Sequence, residues 1–335
     1  MSKFIVPEAY QSALSLYETQ KAIGTLQRVF EDNLSVALNL VRTSAPLFVA
    51  TGTGLQDDLN GVERPVEFDI RESGTSAQIV HSLAKWKRMA LHQYGFPVGE
   101  GLYTIMNAVR RDDDMDNLHS VYVDQWDWEC VIDRPSRSLA FLQEVVVKIV
   151  DAICDTAATI KAAYPTLPVS LSRDVKFITT QELEDMYPDL SPKERENAYL
   201  KEAKTAFIMQ IGDTLKSGQK HDGRAPDYDD WALNGDIVFW NELLGCAFEV
   251  SSMGIRVDEV SLAEQLVKAD AEERRAFPFH RALLAGAFPL TLGGGIGQSR
   301  LSMLLLGKAH IGEVQVSVWD DATKAAAQTA GITLL

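Results

Sequence analysis

Apolar and polar positions along this chain repeat with two periods. Over residues 7–43, Leu14, Leu16, Ile23, Leu26, Val29 and Phe30 recur at roughly helical spacing, which predicts helices. A cleaner stripe, Leu139, Leu142, Val146, Ile149 and Ile153, alternates steps of three and four and predicts one long helix over 136–164, with the stripe given to packing. Shorter apolar runs at 45–50, 66–70, 77–81, 101–110, 118–129, 175–179, 206–211, 236–240, 246–251 and 314–319 predict strands. Capping-box spacing marks helix starts at Thr179, Ser191 and Ser261, with Pro192 at the first helical position of the second. Ser82 is a candidate cap for a helix over the following residues, Leu266 and Val267 are expected to face inward, and 276–286 reads as a helix stopped by Gly286 and Pro289. Strands joined mostly as hairpins, with helices inserted, predict an α+β fold whose sheet is mainly antiparallel and flanked by helices.

Composition narrows the function classes. The 335 residues are 46% hydrophobic and 24% charged, an ordinary globular balance. Net charge is −15, against the basic footprint of a general nucleic-acid binder. Cys130, Cys154 and Cys246 are odd in number and lack metal-ligand spacing, so they read as reduced thiols of a cytoplasmic protein. The start, Met1 to Glu8, is too short in apolar residues for a signal peptide, and no apolar run reaches the length of a membrane span.

Several stretches carry candidate chemistry. Thr291 to Arg300 places Gly293, Gly294, Gly295 and Gly297 within five positions, directly before an apolar helical run. It satisfies neither the dinucleotide fingerprint nor the P-loop. It reads as a strand-to-helix turn in which glycine permits positive φ or close ligand approach, with Ser299 as a cap and Arg300 in the first helical turn. A tight turn before a core helix is the plainer alternative. Over 118–129, period two puts Gln125, Asp127 and Glu129 on one face and Trp126 and Trp128 on the other, so the polar face is either solvated or lines a site. Lys85 and Arg88 share a helix face, with Lys87 off it, and a solvated basic face is the plain reading. Asp236 and Glu249 lie thirteen positions apart on the arms of one hairpin. A turn centred near Glu242 and Leu243 makes them cross-strand partners, a pair that repels unless a proton or a cation such as Mg²⁺ separates it; two exposed edge acids are the alternative. Arg256 follows the small residues of 251–254 and suits a bidentate grip on a carboxylate, or a plain surface role. Residues 51–65 and 213–235 are polar, irregular and long enough to be functional loops.

Arg110 at a strand end, acids after it, an acid pair and a glycine motif ending in Arg300 follow the order of a class II aminoacyl-tRNA synthetase catalytic domain. The words at 80–88 (VHSLAKWKR), 99–104 (GEGLYT), 119–129 (HSVYVDQWDWE), 224–231 (RAPDYDDW), 233–236 (LNGD), 251–258 (SSMGIRVD) and 293–301 (GGGIGQSRL) resemble, over about residues 50–319, the ammonia-dependent asparagine synthetases, or aspartate–ammonia ligases. That resemblance implies one catalytic domain over 1–335, with a helical N-terminal segment to residue 50 and a class II synthetase-like core over 51–335. It implies L-aspartate, ammonia and ATP as substrates, with Mg²⁺, in a homodimer. Asp57 would handle ammonia. Arg110 would hold the α-phosphate and reacting carboxylate, Asp113 the adenine amino group, Arg224 a phosphate, and Arg300 the adenine face. Asp236 and Glu249 would hold Mg²⁺. Ser82, Lys87, Gln125, Ser251 and Arg256 would hold aspartate, with Asp127 and Asp229 near its ammonium group. An aspartyl-tRNA synthetase paralogue loading another acceptor is the alternative; the chain shows no separate anticodon-reading module beside the catalytic pattern.

Overall fold

The computed structural model describes residues 4–59 and 61–335; Met1 to Lys3 and Asn60 of the 51–65 loop lie outside the described residues. Ser15 and Glu18 form a capping box that starts α1 (Leu16–Leu38), so 7–15 is irregular and a single helix replaces the helices expected over 7–43. Next come β1 (Leu40–Arg42), β2 (Phe48–Ala50), β3 (Glu67–Ile70), β4 (Thr75–Ile79), α2 (Ala84–Tyr94), β5 (Gly101–Val109), β6 (Tyr122–Ile132) and α3 (Leu139–Ala163). The middle of the chain supplies β7 (Lys176–Thr179), α4 (Thr180–Met186), α5 (Pro192–Ala203), β8 (Thr205–Met209), β9 (Asp229–Asn241) and β10 (Cys246–Arg256). It closes with α6 (Glu259–Lys268), a 3₁₀ turn (Glu272–Ala276), α7 (Pro278–Leu284), β11 (Leu290–Gly297), α8 (Gln298–Leu305) and α9 (Asp321–Thr329).

Eight strands form the main sheet in the order β1-β5-β6-β11-β10-β9-β8-β7, and β2-β4-β3 form a small second sheet. Neighbours from β5 through β8 run antiparallel, but β1 joins β5 and β7 joins β8 in parallel. The sheet is therefore mixed, which corrects the expected mainly antiparallel one. Each parallel edge pair is joined by a connection containing helices, α2 in one case and α4 with α5 in the other, as parallel neighbours require.

One face of this sheet is buried under α1 and α3. Leu142, Val146, Ile149 and Ile153 of the α3 stripe pack with Trp126, Trp128, Phe207, Phe239 and Phe248 from the strands, and the Phe30 ring of α1 packs tilted against Trp126. Each fully buried aliphatic side chain contributes about 1.5–3 kcal/mol. On the opposite face α2 covers Leu102, Met106 and Val131, and α4 with α5 cover Ile208 and Val238, which leaves the centre of that face to polar side chains.

Several local expectations change. Asp258, not Ser261, caps α6, with the Ser261 hydroxyl returning to the cap. Leu266 is buried but Val267 is exposed. The irregular loop ends at Tyr228, because β9 begins at Asp229. Residues 314–319 form no strand; Trp319 is buried against His310 while Val316 and Val318 are exposed, an alternation produced by one-sided packing without sheet pairing.

Candidate active site

A cleft of about 720 Å³ opens on the sheet face opposite α1 and α3. Period two on β6 sends Trp126 and Trp128 into the core and leaves Gln125 and Asp127 lining the cleft, with Glu129 of the same face fully buried beyond its wall. The cleft also gathers Asp57, Ser82, Arg110, Asp113, Arg224, Asp229, Glu249, Arg256 and Arg300 from sequence-distant segments. Lys87, Asp236 and Ser251 are the expected site residues that do not line it.

One end is built on buried ion pairs. Arg256 donates through Nε and Nη2 to Glu129 Oε2 (3.3 and 3.1 Å) and through Nη1 to Asp229 Oδ1. Burial works against the Arg256 charge, but Glu129 and Asp229 outweigh it and raise its pKa. Thr291 Oγ1 donates to the other oxygen of Glu129 at 2.7 Å. Lys87 is fully buried and donates to Asp127 Oδ1, Trp128 O (2.9 Å) and Gly294 O (3.2 Å). With these three acceptors met by its ammonium group, Lys87 anchors Asp127 from behind. Lys85 and Arg88 are buried too, which rules out a solvated basic face on α2.

The other end carries the remaining arginines. Arg110 reaches the His81 carbonyl through Nε and Nη2 at 3.4 and 3.2 Å. Burial raises the pKa of Asp113, against the pull of Arg110. Arg300 Nη1 donates to Glu249 O at 2.9 Å and lies 3.5 Å from Glu249 Oε2. Arg224 donates to Ser252 Oγ and, at 2.7 Å, to Asp236 Oδ1.

The acid pair is offset from the expected register. Glu249 pairs with Val238 and Ser251 with Ile237, so β10 carries one extra residue, a bulge, at Val250. Asp236 therefore faces Ser252, and Glu249 stands diagonally from it. The same bulge turns Ser252 to the cleft wall and Ser251 inward, where its hydroxyl is buried without a partner. Burial raises the Asp236 pKa, Arg224 lowers it and Glu249 raises it again. Two half-buried acids, with the Asp236 carboxyl raised first by desolvation and further by Glu249, suit an added cation. Among the described residues no group of three or more His, Cys, Asp or Glu is placed to hold a metal. Two carboxylates with the remaining oxygens from phosphate and water is the arrangement Mg²⁺ favours.

Asp57 forms a third corner. Its Oδ1 accepts from Leu59 N (2.9 Å), its Oδ2 from Ser82 Oγ (2.6 Å), and its carbonyl contacts His81 Nδ1 (2.9 Å). Ser82 thus serves Asp57, and Leu83 stands at the N-cap of α2 without a side-chain cap.

The sequence profile described as Aspartate-ammonia ligase matches residues 17–331. The chain is 60% identical over 322 residues to an aspartate–ammonia ligase of Ruminiclostridium cellulolyticum, covering 96% of each. It is 56% identical over 334 residues to that of Clostridium tetani, covering 99% of this chain and 98% of the relative. This chain belongs to the aspartate–ammonia ligase family. Its fold is that of class II aminoacyl-tRNA synthetases. Asparaginyl-tRNA synthetase of Entamoeba histolytica superposes with a TM-score of 0.62 at 13% identity, over 90% of this chain and 67% of that one. The Pyrococcus horikoshii asparaginyl-tRNA synthetase complexed with asparaginyl-adenylate gives 0.57 at 14% identity, over 94% and 74%.

In this ligase-family chain Gly293 to Gly297 lie in β11 between β6 and β10, and none has positive φ, which corrects the expected positive-φ turn; the strand passes straight into α8, with Arg300 in its first turn as expected. They are small because side chains cross them. A Cβ on Gly295 would lie 2.4 Å from Gln125 Oε1, one on Gly293 2.7 Å from Arg256 Nη2, and one on Gly294 2.5 Å from Met253 Cβ. What approaches these glycines is the site's own Gln125 and Arg256.

Ser299 does not cap α8, whose N-cap is Gly297. Its N–H and hydroxyl donate instead to Asp124 (3.1 and 2.6 Å), which also accepts from Gln315 Nε2 at 3.3 Å. Burial raises the Asp124 pKa and these donors resist. Asp124, Tyr228 and Ser252 line the cleft without having been singled out from the sequence. Tyr228 stands in the quoted word at 224–231, which was the available signal for it.

Proposed function

We propose that the protein makes L-asparagine from L-aspartate, ammonia and ATP through a β-aspartyl-adenylate, releasing AMP and pyrophosphate. The carrying observation is that one cleft joins a buried Arg256–Glu129–Asp229 set, suited to an amino acid, to the Arg110, Arg224 and Arg300 end, suited to a nucleotide. A carboxylate is a poor electrophile, so its oxygen must first be made a leaving group by transfer of the adenylyl group.

In this reading Arg256 holds the aspartate α-carboxylate, Asp127 and Asp229 face its ammonium group, and Gln125 orients the molecule. Arg110 bridges the β-carboxylate and α-phosphate and offsets the charge that builds as they join. Arg224 contacts a phosphate, Arg300 covers the adenine, and Asp113 reads its amino group. Asp236 and Glu249 would hold Mg²⁺, which when bound neutralises phosphate charge and steadies the leaving pyrophosphate. Asp57, fixed by Ser82, binds ammonium and removes its proton, so that ammonia attacks the acyl carbon and AMP departs.

The whole chain acts as one catalytic domain in the cytoplasm. It works as a homodimer, for which Tyr17 and Val36 of α1 and Val147 of α3 offer exposed apolar surface. Light scattering at micromolar concentration is expected to give twice the chain mass; a fully active monomer would remove the dimer from this reading. The reaction itself is tested with purified protein, ATP, L-aspartate and NH₄⁺. Asparagine, AMP and pyrophosphate are expected in equal amounts, and stoichiometric ADP with phosphate would overturn the mechanism.

A further inference from the structure

Behind the Asp57 corner lies a buried ion cluster that the proposed chemistry leaves unused. Asp227 Oδ2 accepts from Lys85 Nζ (2.9 Å), Arg274 Nη1 (3.0 Å) and His280 Nε2 (2.9 Å). Asp227, Lys85 and His280 are buried, and Arg274 is nearly so. Burial opposes the Asp227 charge, but Lys85, His280 and Arg274 outweigh it and hold its carboxyl far below the usual range. Such a cluster is weak evidence of stabilisation, because desolvation consumes most of its attraction. Its geometry, however, is specific. Lys85 belongs to α2, Asp227 to the loop before β9, Arg274 to the 3₁₀ turn and His280 to α7.

The segment carrying Asp57 rests on this cluster. Phe279 N donates to Thr53 O at 3.2 Å. Gly54, at φ +80°, lies so close that a Cβ there would be 2.8 Å from both His280 Nδ1 and Phe277 Cβ. Leu55 packs with Val257, Leu262 and Phe279. Arg274 Nη2 then lies 3.4 Å from Asp58 Oδ2, so one guanidinium bridges Asp227 to the residue beside Asp57. From the other side Ser82 fixes the Asp57 carboxylate. Arg110, Arg224 and Arg300 make no ion pair with the cluster.

We propose that Asp227, Arg274 and His280 are positioning residues for Asp57, and so serve amination rather than adenylation. The inference rests on reading Asp57 as the ammonia-side acid. It is tested in the full-length protein with Arg274→Met, which removes the bridge, and Asp58→Asn, which loosens only its exposed end. Aspartate-dependent pyrophosphate–ATP exchange reports adenylation, and asparagine synthesis over a range of NH₄⁺ reports both steps. For Arg274→Met, exchange is expected within about twofold of the parent while the KM for ammonia rises roughly tenfold or more, since small misplacements of a reacting group are costly. Asp58→Asn should shift the same way by less, and Arg274→Lys should recover part of the loss. Exchange and synthesis falling in equal proportion, or synthesis unchanged in both variants, would overturn the inference. If Arg274→Met does not fold, Asp58→Asn decides alone. A parent protein that exchanges pyrophosphate but yields no asparagine would instead refute the proposed function.

Discussion

Asp57 shows how one side chain can belong to one half of a reaction. Its carboxylate is fixed by Leu59 N and the Ser82 hydroxyl at one corner of the cleft. Asp57→Asn keeps the shape and removes charge and base. The variant is expected to retain pyrophosphate exchange and lose asparagine synthesis by roughly 10²–10⁴-fold, with partial recovery at higher pH, where free ammonia is supplied. Equal loss of both activities would place Asp57 in aspartate binding. Gly295 gives a complementary test. A methyl there must displace Gln125, whose Oε1 lies 2.4 Å from the Cβ position. Gly295→Ala should fold, by circular dichroism, yet lose roughly 10²-fold in kcat/KM for aspartate. Unchanged kinetics would show that Gln125 does not orient the substrate.

At the scale of elements, α8 offers a test because its N-terminus is capped from another strand. Gly297 brings no side chain to the cap, and Asp124 of β6 accepts the Ser299 donors instead. Removing a cap costs about 1 kcal/mol. Here that cost falls on the first turn, which carries Arg300. Asp124→Ala is expected to raise the KM for ATP several-fold and leave that for aspartate nearly unchanged; a matching rise for aspartate would count against it. Much of this arrangement was legible beforehand. The inward Trp126 and Trp128, the outward Gln125 and Asp127 and the α3 stripe all followed from periodicity. The bulge at Val250 did not, because a one-residue slip leaves no mark in composition, and it exchanged Ser251 for Ser252 and set Asp236 diagonal to Glu249. Nor could a run of Lys85, Lys87 and Arg88 announce its burial, since the acids that pair with the lysines and the carbonyls of Val257 and Pro289 that hold Arg88 come from distant segments.

Across the whole molecule, the N-terminal segment and residues 309–319 meet around His310. Phe4 stacks on its ring at 4.9 Å, Trp319 packs edge-on at 4.8 Å, and its Nδ1 accepts from Gly312 N at 3.0 Å. Burial lowers its pKa from 6.5 to about 4, with Asp116 resisting. The folded state then binds fewer protons at this ring than the unfolded chain between about pH 6.5 and 4, so stability falls as pH drops through that window. The melting temperature should decline more steeply there in the parent than in His310→Asn, and parallel declines would exclude His310 as the cause. The resemblance of quoted words reached the family and the reaction from sequence alone. This meeting of distant segments was invisible, because the alternation over 314–319 reads as a sheet strand and names no partner in the N-terminal segment.

The glycines of β11 have a consequence for how such a gene can vary. Single-base changes in a glycine codon yield Ala, Val, Asp, Glu, Arg, Ser, Cys or Trp, every one bearing a Cβ. At Gly293, Gly294 and Gly295 each of those would collide with Arg256, Met253 or Gln125. A neutral step there requires the crossing side chain to shrink first, and two of the three are expected to hold the substrate. Saturation libraries at these three positions should therefore return almost nothing but the parent codons, while exposed positions accept wide replacement.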